Sequence, residues 1–167
     1  MNIRDETKDL HDKVDSTPFV QNMIDGKQSP FARSQWLMSQ YKILESLDSH
    51  VELQYQRLDP LKNDLLELPV MSPAGPAIAY QKHIRGLSDP NPHIYLNYMA
   101  LLFGGQILKK HYPTSSSVYQ FPHITEARSY FRTFVPTDLS PDYISEVRKG
   151  FQFQLAIISE ISQNHVE

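Results

Sequence analysis

Tyr98-Met-Ala-Leu-Leu-Phe-Gly-Gly-Gln-Ile-Leu108 is the stretch of sequence that decides the fold. Its two glycines, Gly104 and Gly105, stand inside an apolar run of good helix formers, where each glycine costs about 1 kcal/mol relative to alanine. A C-terminal cap does not explain them, because Gln106-Ile-Leu-Lys-Lys110 continues the helical pattern. We therefore expect a helix on which a side chain would collide with something pressed against it, either another helix or a flat ligand.

Helical spacing dominates the rest of the chain. Apolar residues recur at intervals of three and four, and period-two alternation is almost absent. The first predicted helix covers residues 3–14, and the second begins at Ser29-Pro30 and continues to Leu58. Further helices are predicted over residues 62–66, 77–85, 91–111 and 125–134, and a last one opens at Ser140-Pro141. The sequence thus predicts an all-α fold, a helical bundle of six to seven helices in a single domain over residues 1–167.

Composition limits the classes of function. The chain has 167 residues, 40% of them hydrophobic and 21% charged, which is typical of a globular protein. A net charge of -3 gives no general attraction to nucleic acid or to an anionic membrane. The absence of cysteine excludes disulfides, thiolate metal sites and cysteine nucleophiles. Because no signal peptide is recognisable and no apolar stretch approaches the about 20 residues that cross a bilayer, we expect a cytoplasmic protein without a membrane anchor.

His11 stands out among the histidines as a candidate metal ligand. The spacing predicts it on the inner face of the first helix, one turn after Thr7 and beside Leu10. Asp15 follows four residues later, where its carboxylate can bind the far ring nitrogen and fix the tautomer of a ligating imidazole. A buried histidine satisfied by a neighbour is the more frequent interpretation of such spacing. The Glu-x-x-His motif of di-iron bundles is absent. A lone histidine and a helix that a flat ligand can approach indicate haem.

The residues around these positions resemble a known family. Thr7-Lys-Asp-Leu-His-Asp-Lys-Val-Asp15, followed by Phe19-Val-Gln-Asn22, resembles the proximal helix of haem oxygenases. The stretch from Tyr95 to Lys110 resembles their distal helix. Phe121-Pro122 and Arg128-Ser-Tyr-Phe-Arg132 are similar to the segment that supplies basic residues to the haem propionates. The resemblance covers nearly the whole chain, and the motifs follow one another in the family's order.

The resemblance implies a role for each matching residue. His11 would be the proximal ligand of the haem iron, with Asp15 as its orienting carboxylate. Gly104 and Gly105 would let the backbone of the distal helix approach the iron. Arginine can meet a carboxylate with two parallel hydrogen bonds, which suits the propionates. The residues implied in propionate binding are Arg4, Lys8, Tyr95, Arg128 and Arg132.

The chain departs from the family pattern at the distal site. The usual pattern places an aspartate one turn before the distal glycines, where it holds a water network over the iron, and an arginine supports that network. This chain has Leu101 and Asn97 at those positions. Because leucine cannot hydrogen-bond to water, either another group such as Asn97 or Tyr41 arranges the water, or the protein binds haem without cleaving it efficiently.

Three functional hypotheses follow. The resemblance implies a haem oxygenase, which would open haem to biliverdin with release of carbon monoxide and iron, using haem as both substrate and cofactor. Its electrons would come from a separate donor such as a ferredoxin or a flavoprotein reductase, because the chain has no flavin or nicotinamide motif. The alternative is a haem-binding or carrier protein, which Leu101 favours. The third is a helical partner-binding protein in which the glycine pair marks a close helix crossing.

Overall fold

The structure, a computed structural model, describes residues 2–165, which form eight α-helices and no β-strand. The helices are α1 (Ile3–Asp15), α2 (Pro18–Ile24), α3 (Pro30–Glu45), α4 (Leu58–Leu66), α5 (Gly75–Arg85), α6 (Asn91–His111), α7 (Ile124–Arg132) and α8 (Pro141–Asn164). The predicted all-α fold class is confirmed, and the expected number of helices is slightly too low. None of the described helices combines the length and the hydropathy that a membrane crossing requires.

Capping side chains fix where the helices begin. The Asn2 side chain accepts a hydrogen bond from the backbone N–H of Asp5 at 2.9 Å, which caps α1. Ser29 and Ser140 cap α3 and α8 in the same way, each accepting at 3.1 Å from a backbone N–H of the first turn. A proline occupies the first helical position after each of these serines, where its missing N–H costs nothing.

Helix α2 was not predicted from the sequence. Thr17 caps it by accepting from the N–H of Val20 at 3.2 Å, and Pro18 follows as its first residue. The helix has only seven residues, of which Val20 and Met23 are buried. So short a helix offers too few repeats for helical periodicity to be recognised.

The second predicted helix is wrong in its length. Helix α3 ends at Glu45 rather than continuing to Leu58, and the chain folds back through two short 3₁₀ turns. The buried carboxylate of Asp48 causes this reversal, since it accepts hydrogen bonds from the backbone N–H groups of Arg57 and Leu58 at 2.9–3.0 Å. The hydroxyl of Tyr98 on α6 also donates to Asp48. A carboxylate that binds residues so far along the chain leaves no local pattern in the sequence.

Two hydrophobic clusters hold the helices together. The larger one includes side chains from α3, α5, α6, α7 and α8. The smaller one joins α1, α6 and α8 and consists of Ile3, Leu10, Leu96, Tyr143, Val147 and Phe151. Burial of such side chains is worth about 1.5–3 kcal/mol each, before the cost of ordering the chain. The smaller cluster therefore fixes the first helix beside α8 and close to the beginning of α6, which positions the candidate site.

Candidate functional site

His11 lies at the edge of the buried face of α1 rather than within it. Its side chain is 60% exposed, whereas Thr7 and Leu10 on the same helix are buried, so the expectation of an inner-face position is wrong. Its Nδ1 lies 3.4 Å from Oδ2 of Asp15, and its ring stands edge-on to Phe151 with the centroids 6.1 Å apart. Within residues 2–165, Nε2 of His11 makes no hydrogen bond. Nε2 is thus the ring nitrogen that can bind a metal, while the Asp15 carboxylate lies beside the other nitrogen.

The two glycines of α6 face different surroundings. A β-carbon built on Gly104 would meet no atom of residues 2–165 within 4 Å, so in the described structure this part of the helix borders open space. A β-carbon on Gly105 would lie 2.7 Å from Cβ and Cδ1 of Tyr119, a buried residue of the 3₁₀ turn Ser117–Tyr119. Gly105 is therefore needed because α6 packs against the side chain of Tyr119 at this point. The expected neighbour was another helix or a flat ligand, so that expectation is wrong for this glycine. Gly104 leaves a helix surface that a flat group can approach.

Tyr95, one of the residues implied in propionate binding, lies within the electrostatic reach of two others, Arg4 and Arg132. Tyr95 on α6 is half-buried, and burial raises the pKa of its hydroxyl. The positive charges of Arg4 and Arg132 oppose that rise in pKa. These charges from α1 and α7 thus reach Tyr95 and give this end of the site a positive potential, which suits carboxylates.

The other two basic residues are placed differently. The Arg128 guanidinium lies over the ring of Phe103 on α6, 5.0 Å from its centroid. Its buried Nε finds no hydrogen-bond partner in the described part of the chain. An unsatisfied buried donor is costly, so Arg128 has a donor to offer a ligand. Lys8 lies on the exposed face of α1, where it donates to Asp12 at 2.5 Å. Its charge is already paired within its own helix.

The side chains at the expected distal positions are packed in the core or already hydrogen-bonded within the protein. Leu101 is half-buried against the main core, and so is Tyr41. Asn97 is buried, and its amide nitrogen donates to the His93 carbonyl at 2.8 Å and to a tyrosine hydroxyl at 3.0 Å. Its side-chain oxygen accepts from Gln154 at 2.9 Å. Both amide hydrogens of Asn97 are therefore used inside the protein.

The tyrosine bound to Asn97 belongs to a buried polar cluster that the sequence did not indicate. The hydroxyl of Tyr80 lies 2.6 Å from Nδ1 of His93, and Nε2 of His93 lies 2.8 Å from Oε1 of Glu146. Nε2 of His83 lies 2.8 Å from the same oxygen. These residues come from α5, α6 and α8, so no spacing along one helix could have revealed them.

The comparisons with known proteins agree with this architecture. No family model matches the chain. Haem oxygenase 1 of Gallus gallus is 24% identical over 189 residues, which covers 98% of this chain and 60% of that relative. The chain thus spans about 60% of the length of the curated relative it matches.

Solved structures are similar over almost the whole chain. A haem oxygenase from Leptospira interrogans has a TM-score of 0.81 at 22% identity, covering 95% of this chain and 97% of that one. Haem oxygenase-1 from Synechocystis, in complex with haem, gives a TM-score of 0.80 at 18% identity, covering 97% and 91%. Haem oxygenase-2 from Synechocystis, in complex with haem and NO, gives 0.81 at 16% identity, covering 97% and 84%.

The fold therefore defines the class: this chain has the all-helical haem oxygenase fold. The sequence motifs predicted a resemblance to the haem oxygenase family. These comparisons confirm that resemblance over nearly the whole chain.

Proposed function

We propose that the chain is a haem oxygenase that binds haem between α1 and α6. Two observations carry the proposal: His11 is exposed and has Asp15 beside its Nδ1, and the surface of α6 at Gly104 is open among the described residues. A planar ligand between two helices needs a metal ligand on one side and the absence of side chains on the other. The relatives from Synechocystis, which share this fold, are complexes with haem.

The residues present fit a haem group on chemical grounds. Haem carries two propionate carboxylates, and the positive end formed by Arg4, Arg132 and the Tyr95 hydroxyl is suited to receive them. The unpartnered Nε of Arg128 is a further donor. Lys8 is paired with Asp12, and its ammonium group has further hydrogens that it could donate to a propionate. We also propose that residues 1–167 form a single haem oxygenase-like domain.

Each residue then has a defined task. Bound haem would be both cofactor and substrate, activating O₂ and being opened to biliverdin with release of carbon monoxide and iron. His11 would bind the iron through Nε2, and Asp15, whose Oδ2 lies 3.4 Å from Nδ1, would accept from that nitrogen and fix the ring. Gly104 keeps the opposite face free of side chains. Arg4 and Arg132 would hold the propionates and so would influence which edge of the ring reacts.

A separate protein would supply the electrons. A ferredoxin or a flavoprotein reductase fits this role, because the chain has no nucleotide-binding motif of its own. We place the reaction in the cytoplasm, consistent with the electron donors proposed.

The second candidate function is a haem-binding or carrier protein. Leu101 favours it, because an aliphatic side chain stands where a water-binding carboxylate is expected. Asn97 does not compensate fully, since both of its amide hydrogens are used by His93 and Tyr80. The two functions share haem binding and differ in whether the bound haem is consumed.

Anaerobic loading with hemin, followed by a reductase, its reductant and O₂, separates the two functions. The oxygenase predicts that the haem absorption decays while a bile pigment and carbon monoxide form in equal amounts. A complex that survives many reductive cycles without pigment would establish the carrier instead. Catalase added to the assay excludes cleavage by free hydrogen peroxide.

A further inference from the structure

We propose that His83, His93 and Glu146 form a site for a divalent transition-metal ion of the Zn²⁺ type. One ligand atom of each residue lies within 4.8 Å of the others. The three side chains come from α5, α6 and α8 and meet where these helices pack together. None of them belongs to the candidate haem site, so this proposal is independent of the proposed function.

The ligand types and their spacing suit such an ion. Both Nε2 atoms lie 2.8 Å from Oε1 of Glu146. Zinc binds histidine nitrogen and carboxylate oxygen at about 2.0–2.2 Å, so the ligands need to separate only slightly to admit the ion. The His93 side chain is 0% exposed, whereas the side chains of His83 and Glu146 are 24% and 21% exposed. The cluster is therefore buried at His93 and reaches toward the surface at His83 and Glu146.

The surroundings of Glu146 and His93 shift the pKa of each side chain downward. Burial alone would raise the pKa of Glu146, but hydrogen bonds from His93 and His83 outweigh it and lower that pKa to about 2. Burial lowers the pKa of His93, and this effect exceeds the opposing influence of Glu146. A metal ion that binds Nε2 of His93 must still displace the proton that this nitrogen carries.

The hydrogen bonds determine which nitrogen of His93 carries its proton. The Asn97 amide nitrogen faces the His93 carbonyl at 2.8 Å and can only donate there, so the same nitrogen also donates to the Tyr80 hydroxyl. The hydroxyl in turn donates to Nδ1 of His93, which leaves the proton of His93 on Nε2, directed at Glu146. A metal at Nε2 therefore moves that proton to Nδ1. The Tyr80 oxygen then accepts from Nδ1, and the hydroxyl hydrogen of Tyr80 must rotate away from His93.

Lys149 is the charged group that opposes the site. Its Nζ lies 3.5 Å from Oε2 of Glu146, on the same helix. A metal ion must share the carboxylate with this ammonium group or displace it. Replacing Lys149 by methionine removes the competing charge while keeping the length of the side chain.

Calorimetric titration of the haem-free full chain with ZnCl₂, in a buffer that does not chelate zinc, tests the proposal. We expect one saturable site, a loss of affinity of at least tenfold in His83→Ala and Glu146→Gln, and equal or tighter binding in Lys149→Met. His11→Ala should bind Zn²⁺ as the parent does, which distinguishes this site from the haem site. Circular dichroism checks that each variant is folded.

Nitrogen NMR of the His93 ring gives an independent readout. Zn²⁺ should shift the protonated nitrogen from Nε2 to Nδ1, which a merely structural ion pair would not do. The absence of saturable binding, equal affinity in the parent and both ligand variants, or loss of binding in His11→Ala would each overturn the proposal.

Discussion

Gly105 and Tyr119 are packed so closely that a β-carbon on the glycine would lie 2.7 Å from Cβ of the tyrosine. Its neighbour Gly104 faces open space, with no atom within 4 Å of the same position. Two adjacent glycines therefore serve different ends. One lets the 3₁₀ turn Ser117–Tyr119 pack against α6, and the other leaves the helix surface clear.

Alanine at these two positions should have opposite effects on stability. Gly105→Ala should lower the free energy of unfolding by about 1–3 kcal/mol, because overpacking against buried Tyr119 exceeds the gain in helix propensity. Gly104→Ala should raise it by up to about 1 kcal/mol, because the new methyl group meets nothing. Urea denaturation of the haem-free variants measures both. Equal stability of the two variants would show that the contact with Tyr119 is not tight.

The buried cluster of Tyr80, His83, His93 and Glu146 should make the free energy of unfolding depend on pH in the acid range. The pKa of Glu146 is about 2 in the folded protein, against 4.5 for the free side chain. As the pH falls, the Glu146 carboxylate is therefore protonated at a higher pH in the unfolded chain than in the folded one. The contribution of Glu146 to the free energy of unfolding is complete above about pH 4.5 and is lost toward pH 2. Glu146→Gln should flatten that part of the stability curve, measured by thermal unfolding. Glu126→Gln, an exposed control on α7, should leave the curve as it is. A parent curve that is flat between pH 4.5 and 2 would contradict the assignment.

Removal of one cation should affect how haem is held. Arg132→Ala should weaken haem binding by about fivefold, equivalent to about 1 kcal/mol for an exposed charge pair, or change the biliverdin isomer that forms. Hemin titration gives the affinity, and chromatography of the pigment gives the isomer. Arg85→Ala removes an exposed arginine on α5 and is the matched control. If both affinity and isomer are unchanged, Arg132 is not part of the site.

Leu101 offers a test of the distal face. Leu101→Asp places a carboxylate where water could be held, so it should change the pKa of the water on the ferric iron and the rate of haem cleavage. Absorption spectra across a pH series measure the first, and pigment formation measures the second. Leu101→Met is the control, because it preserves volume without adding polarity. Identical behaviour of the aspartate variant and the parent would place the distal water network elsewhere.

The local parts of the fold were predictable from the sequence, and the long-range parts were not. Helix α6 runs from Asn91 to His111 as predicted, because its proline start and continuous apolar pattern are local features. The end of α3 was missed because it depends on Asp48, whose partners include Tyr98 far along the chain.

The same distinction applies to the candidate site. The spacing of His11 and Asp15 on one helix fixes their proximity, and the structure finds their side chains 3.4 Å apart. The exposure of His11 depends on how α1 packs against α8, which spacing alone does not determine. The contact of Glu146 with His83 and His93 depends on three helices meeting, so it was visible only in the folded chain. The catalytic and propionate roles stay predictions.

Titration of the haem-free protein with hemin tests the central claim most directly. We predict a shifted Soret band that saturates at one equivalent in the parent and in His50→Ala, a control that removes another exposed histidine. In His11→Ala the spectrum should lose the features of imidazole-bound iron, and added imidazole should restore them. An unchanged spectrum and affinity in His11→Ala, or no Soret shift in the parent, would contradict the account.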